Sequence, residues 1–238
     1  MTLRHLILLL DAPLMSFGAE AVDAQGVIRD FPARSAITGL LANALGWERE
    51  NVQWLDELQD RIIFGAALLE QGARIKDFQT AKLGINDRGW TTRGAPEGRT
   101  GSPATYHSPH LRHRYADAET RAIVAFRVAA ADRGPDLDQL SEALDRPERP
   151  LFIGRKPFIP STRLLYGDVE AGNVLEALAS AIASAGKDSA RAQWPLAEGQ
   201  EDGSVVVEFT DERNWRTGVH AGLRRVREGM IFAGSSVS

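Results

Sequence analysis

The run from Leu3 to Leu10 constrains this chain more than any other stretch. It is aliphatic almost without interruption, whereas a strand with one wet face alternates apolar and polar residues. The run predicts a central strand buried on both faces, in a sheet covered on both sides. Asp11, Ala12 and Pro13 end it, and Ser16, Phe17 and Gly18 open an irregular stretch. The segment differs from a signal peptide: its apolar part from Leu6 to Leu10 is short, and no small-residue cleavage pattern follows. Nothing in the 238 residues approaches the roughly 18 consecutive apolar residues of a membrane helix. A soluble, cytoplasmic protein with no membrane partner is expected.

Residues 31–47, FPARSAITGLLANALGW, carry the clearest helix. Ile37, Leu40, Leu41, Ala44 and Leu45 fall at i, i+3, i+4, i+7 and i+8 and make one apolar stripe. Gly46 stands where a left-handed residue commonly stops a helix. Pro32 sets an extended approach, and Ser35 is the predicted N-cap with Arg34 beside it. Free backbone N–H groups, a guanidinium and a hydroxyl together would form a phosphate seat. An ordinary capped core helix with a solvated arginine fits the same residues.

Downstream, the pattern predicts a helix over 51–60, a strand over 61–69 and a partner strand over 73–80. Residues 119–130 read as a strand, with Ile123, Val124, Phe126 and Val128. Asp136 caps a helix striped by Leu137, Leu140 and Leu144, and 151–159 is strand-like around Gly154-Arg155-Lys156-Pro157. Strand, helix, strand, strand, helix, strand is the ferredoxin-like order, an α+β class shared with RNA-binding RRM folds. Asn173 and Glu176 resemble a capping box opening a helix over 174–185. Residues 186–203 read as polar linker, 205–209 and 223–232 as strands, and the tail from Ala233 is expected to fray. The expected division is a core over 1–165 and a small β-containing C-terminal region over 166–238 that packs on it.

Between Lys82 and Ser108 the chain is rich in Gly, Pro, Thr and Arg and has no core-forming period. So long an irregular stretch signals a functional loop, a protruding hairpin or disorder. Charge is segregated here. The chain carries −4 overall, yet residues 74–114 hold eight Lys or Arg (74, 76, 82, 88, 93, 99, 112, 114) against three acids (77, 87, 97). That segment is +5 and the remainder −9, which points to a local polyanion contact on an acidic body.

There is no cysteine, so disulfides and thiolate metal sites are excluded. No Walker loop, Rossmann fingerprint or nucleophile elbow occurs. His107, His110 and His113 recur every third residue, but Pro109 breaks any helix that would align them, so RNA-facing or surface histidines are expected rather than a metal site. Tyr106, His107 and Lys82 would suffice for a metal-free ribonuclease, the histidine taking the 2′-hydroxyl proton and the lysine meeting the developing charge. The same residues would equally bind RNA, by stacking and phosphate contact. Gly154-Arg155-Lys156 offers close backbone approach and two adjacent cations for phosphates.

Four segments in order, LLLDAPLMSFG, FPARSAITGLLANALG, KDFQTAKLG and LFIGRKPFIPS, resemble the CRISPR-associated Cas-five family, and within it the CasD subunits of type I-E Cascade. The carrying residues are Pro13, Met15, Phe17 and Gly18; Pro32, Ala33, Arg34, Ser35, Gly39, Leu40 and Leu41; Asp77, Phe78 and Thr80; and Gly154, Arg155 and Lys156. The resemblance covers residues 1–165 well and the last third loosely. It implies a repeat-associated mysterious protein (RAMP) fold, an RRM-like core with a long β-hairpin thumb at about 82–115. It further implies a subunit that grips the 5′ handle of crRNA, caps the backbone filament, and touches the Cascade backbone and large subunits. Target DNA would be met only indirectly. In type I-E a different subunit cuts the precursor, so no catalysis, cofactor or metal is implied. In type I-C the related subunit is the processing ribonuclease, whose adjacent Lys-His pair has no match here. Ala33 stands where the family more often has Thr. The RNA-binding residues expected are Arg29, Arg34, Ser35, Lys82, Arg88, Arg93, Arg99, Tyr106, His107, Arg112, Arg155 and Lys156.

Overall fold

The computed structural model describes residues 2–19, 24–82, 89–90, 96–97 and 109–234. In chain order the main elements are β1 (Leu3–Asp11), α1 (Arg34–Ala44), α2 (Val52–Arg61), β2 (Ile62–Glu70), β3 (Ala73–Ala81), β4 (His110–Ala118) and β5 (Arg121–Val128). Then come α3 (Leu137–Asp145), β6 (Leu165–Ala171), α4 (Val174–Ser184), β7 (Ser189–Pro195), β8 (Val205–Phe209) and β9 (Arg224–Phe232).

Seven of these strands form one antiparallel sheet in the order β6-β1-β5-β2-β7-β9-β8. Its first four strands, with α1 between β1 and β2 and α3 between β5 and β6, are a ferredoxin-like unit. β7, β9 and β8 extend that unit from its β2 edge. β1 is central and buried on both faces, as its unbroken aliphatic run requires. Leu6, Leu8 and Leu10 pack with Ile37, Leu41, Leu58 and Leu140 from α1, α2 and α3. Ile7 and Leu9 point the other way, into Val174, Leu178 and Ile182 of α4 and the fully buried Trp194 of β7.

The second long structure is a two-stranded ribbon. β3 and β4 pair antiparallel over their full lengths, from Ala73↔Ala118 to Ala81↔His110. β3 is exposed at every residue, so the ribbon leaves the body instead of joining its sheet. At its base β4 is edged by Leu14–Met15, antiparallel, and by Gln25–Gly26, parallel.

Three expectations are corrected. The 151–159 segment forms turns with no strand pairing; Gly154 and Pro157 interrupt it, and Ile153 is buried without a ladder. The fourth ferredoxin strand is β6 at 165–171. The 186–203 segment contains β7, an interior strand of the main sheet, whose Ala190, Ala192 and Trp194 face the core alternately with Arg191 and Gln193. Ser35 is not an N-cap: the capping position is Ala33, with no side-chain bond, and Ser35 is buried inside the helix. The Asp136 cap is a full capping box with Gln139. Asn173 accepts from the Glu176 N–H, while the Glu176 carboxylate reaches the Gly172 N–H and the Asn173 amide.

Candidate nucleic-acid interface

Residues directly opposite on a β-ladder share a face. One face of the ribbon therefore presents Asp77 with Arg114, Gln79 with Arg112, and Ala81 with His110. The other presents Lys76 with Tyr115, Phe78 with His113, and Thr80 with Leu111. On the second face the Phe78 and His113 rings lie 5.2 Å apart, and Phe78 is exposed. An open concavity of about 570 Å³ is lined by Gln79, Ala81, His110, Arg112 and Arg114 of the first face, together with Ala24, Thr80 and Leu111.

The Gly154-Arg155-Lys156 turn is brought to the ribbon base. Gly154 has φ +87°, and a Cβ there would lie 1.8 Å from the Ser16 carbonyl oxygen, so only glycine fits. That contact joins the turn to the Met15-Ser16-Phe17 segment, and the Ser16 N–H donates to the Ile153 carbonyl at 3.3 Å. Arg155 then reaches β4: its Nη2 donates to the Tyr115 carbonyl at 2.9 Å, and its guanidinium lies 5.5 Å from the Phe158 ring centre. Burial pushes the Arg155 pKa down, the neighbouring Arg114 charge pushes it further, and Asp77 opposes both. Two guanidiniums from distant parts of the chain thus sit close enough to repel.

Several cations of this region lack a counter-charge. Many arginines of the body are matched: Arg121 with Asp11 and Glu70, Arg127 with Glu198, Arg163 with Asp145, Arg225 with Glu208. At the ribbon base Arg74 is matched with Asp30 and Asp117. Beyond it, Lys76, Lys82, Arg112, Arg114, Arg155 and Lys156 have no carboxylate within 4.0 Å among the described residues. Asp77, the acid among them, is taken by the Gln79 amide at 2.6 Å. Unmatched cations around a concavity suit a polyanion.

The first turn of α1 is a different matter. The Arg34 N–H donates to Asp211 Oδ2 at 2.9 Å and the Ser35 N–H to the Asp211 carbonyl at 3.0 Å. Asp211 is fully buried and also receives Arg224, at 2.9 Å on Oδ1 and 2.5 Å on Oδ2. Arg34 itself is paired with Glu212 at 2.6 Å. An anion does sit at this helix start, but the chain supplies it. Arg29 lies nearby, its Nη2 donating to the Thr210 carbonyl at 2.6 Å.

Of the twelve expected RNA-binding residues, the structure brings Arg155, in the turn that also holds Lys156, to the ribbon base, and puts Arg112 and Lys82 toward the other end of the ribbon. It holds Arg29, Arg34 and Ser35 against the 210–212 segment. Arg88, Arg93, Arg99, Tyr106 and His107 lie outside the described residues. Sequence reasoning passed over Arg114; the alternation of HLRHRY would have put it on one face with Arg112. Among the described residues no cluster of three histidine, aspartate or glutamate side chains could hold a metal ion, and no helix is long and apolar enough to cross a membrane.

The CRISPR-associated protein (Cas_Cas5) family matches residues 5–227. The chain belongs to the Cas5 family. Two solved structures share the fold of this Cas5 chain. A chain described as "CRISPR RNA-guided surveillance complex" superposes with TM-score 0.63 at 20% identity, over 98% of this chain and 92% of that one. Another, described as "Crystal structure of Cas protein", gives TM-score 0.59 at 19% identity over 96% and 95%. No curated protein matches.

Proposed function

We propose that this Cas5 chain is a non-catalytic subunit of a type I-E CRISPR Cascade surveillance complex, binding the 5′ handle of crRNA and capping the backbone filament. The observation that carries the proposal is a group of cations without a carboxylate within 4.0 Å: Arg112 and Arg114 line the ribbon concavity, and Arg155, in the turn that also holds Lys156, is tied to β4 through the Tyr115 carbonyl. Guanidiniums held by a strand and a tight turn meet phosphates at fixed spacing and carry no sequence information. The exposed Phe78 and the His113 ring on the opposite face offer stacking surfaces for splayed bases. Target sequence would be read by guide pairing, not by this chain. The family membership and the surveillance-complex likeness support the setting; the backbone and large subunits are the protein partners this reading implies.

Arg112→Glu with Arg114→Glu tests it. In a gel shift at low salt, labelled repeat RNA is expected to bind the variant at least about tenfold more weakly, as loss of two phosphate contacts implies. Wild-type protein that gives no retardation would instead favour an adaptor that touches no RNA.

One observation favours a metal-independent endoribonuclease as a second reading. Lys76 lies directly across from Tyr115, and His113 stands next along the same face, so a base and a cation share one surface. Incubation of the protein with labelled repeat RNA in EDTA separates the two. The scaffold reading expects intact RNA; site-specific cutting lost in His113→Ala would replace it.

A further inference from the structure

The helix layer carries a face that the ribbon does not explain. From Glu48 to Asp60 the chain holds five acids (48, 50, 56, 57, 60) against one cation, Arg49. Leu55, Leu58 and Gln59 form the buried side of α2, which leaves Asp56, Glu57 and Asp60 toward its outer side. Trp54 stands three residues before Glu57 on the helix, hence beside it on the surface, and is 51% exposed. Its ring lies 5.5 Å from that of Trp47, tilted by 55°. Trp47 is the anchored member of the pair. It packs against the core, and its carbonyl accepts from Arg149 Nη1 at 2.9 Å. Asn51 fixes the turn between the two rings, its Oδ1 accepting from the Glu48 N–H at 2.7 Å.

The nearby cations are engaged elsewhere. Arg61 donates to the Ala129, Arg133 and Pro135 carbonyls at 2.9, 3.0 and 3.0 Å, and Arg149 pairs with Glu48. Glu50, Asp56, Glu57 and Asp60 have no cation within 4.0 Å among the described residues. The Glu57 carboxylate accepts from the Gln53 amide at 2.7 Å, a neutral donor. A half-exposed indole beside unmatched carboxylates selects its partner by charge. The carboxylates repel a nucleic-acid backbone. A guanidinium, in contrast, can stack on the indole while its N–H fork meets a carboxylate next to it. Tryptophan and arginine are also enriched among the residues that carry most of the binding energy at protein interfaces.

We infer that Trp54 and the acidic outer side of α2 form a docking site for an arginine-bearing segment of a partner protein. This goes beyond the RNA reading and shares no residue with the ribbon site, so either can fail alone. The test uses the full chain and a short labelled peptide of alternating arginine and alanine, with its lysine counterpart, each titrated by fluorescence anisotropy at several salt concentrations. The wild-type chain is expected to bind the arginine peptide more tightly than the lysine peptide. Trp54→Ala should weaken the arginine peptide by about fivefold or more and remove that preference. Glu57→Gln with Asp60→Asn, which leaves the packing of α2 in place, should weaken both peptides and flatten the salt dependence. Equal affinity of wild type and Trp54→Ala for the arginine peptide, or no preference for arginine in the wild type, would overturn the inference. So would self-association in sedimentation that Trp54→Ala abolishes, since the occupant would then be a second copy. Repeat RNA should bind Trp54→Ala as it binds the wild type; weaker binding would give the face to nucleic acid and overturn the inference as well. If Arg112→Glu with Arg114→Glu leaves repeat RNA binding intact, the ribbon assignment has failed instead.

Discussion

Asp211 shows how much one buried side chain can hold. Its carboxylate takes the first N–H of α1 and the Arg224 guanidinium, and its carbonyl takes the second N–H. Asp211→Ala removes the cap and leaves Arg224 without this carboxylate, in a place where water cannot replace it. The expected loss is about 3–5 kcal/mol, read as a lower urea midpoint. Gly154→Ala acts through the backbone. The positive φ alone costs about 1–3 kcal/mol, and the Ser16 carbonyl leaves no room for a methyl group. The turn must shift, so the variant should both melt lower and bind RNA more weakly, because Arg155 is displaced from β4.

His5 supplies a pH dependence. It is fully buried, with Nδ1 2.9 Å from the Leu3 carbonyl. Burial pushes its pKa below the ordinary 6.5, outweighing that hydrogen bond, which acts the other way. The unfolded chain therefore binds this proton first as pH falls, and stability declines below about pH 6.5 while remaining whole above it. His5→Gln should flatten the fall in urea midpoint between pH 7.5 and 5.5; an unchanged slope would mean His5 is not its source.

At the scale of elements, legibility followed how local the cause is. The α1 stripe, the Gly46 stop (φ +74°) and the Asp136 cap are written within a few residues, and all three appear as read. Ser35 misled because its role depends on residue 211, far along the chain. β7 was hidden by small side chains: Ala190 and Ala192 carry little apolar signal, although with Trp194 they alternate cleanly. The 151–159 segment erred the other way, since Leu151, Phe152 and Ile153 look strand-like and Ile153 is buried, but without a ladder. The candidate site was half legible. Its cations stand out by charge, whereas which of them lack partners depends on where Asp30, Asp117 and Glu212 happen to fold.

For the molecule as a whole, the LRHLILLL run carried the decisive information. A strand buried on both faces requires helices on both sides of its sheet, and α1, α2 and α3 on one face and α4 on the other supply them. The exposed ribbon then stands outside that closed core, which lets it carry unmatched positive charge without a desolvation cost. The ribbon strands carry Lys76, Arg112 and Arg114 of the basic segment seen along the sequence, with Asp77 the acid among them, and the central claim is that these cations meet RNA phosphates. The most direct measurement of that claim is a salt titration of 5′-handle RNA binding with the wild-type chain and with Arg112→Ala, Arg114→Ala together. Two lost phosphate contacts predict a slope of log affinity against log salt shallower by about 1.4; equal slopes and equal affinities would contradict it.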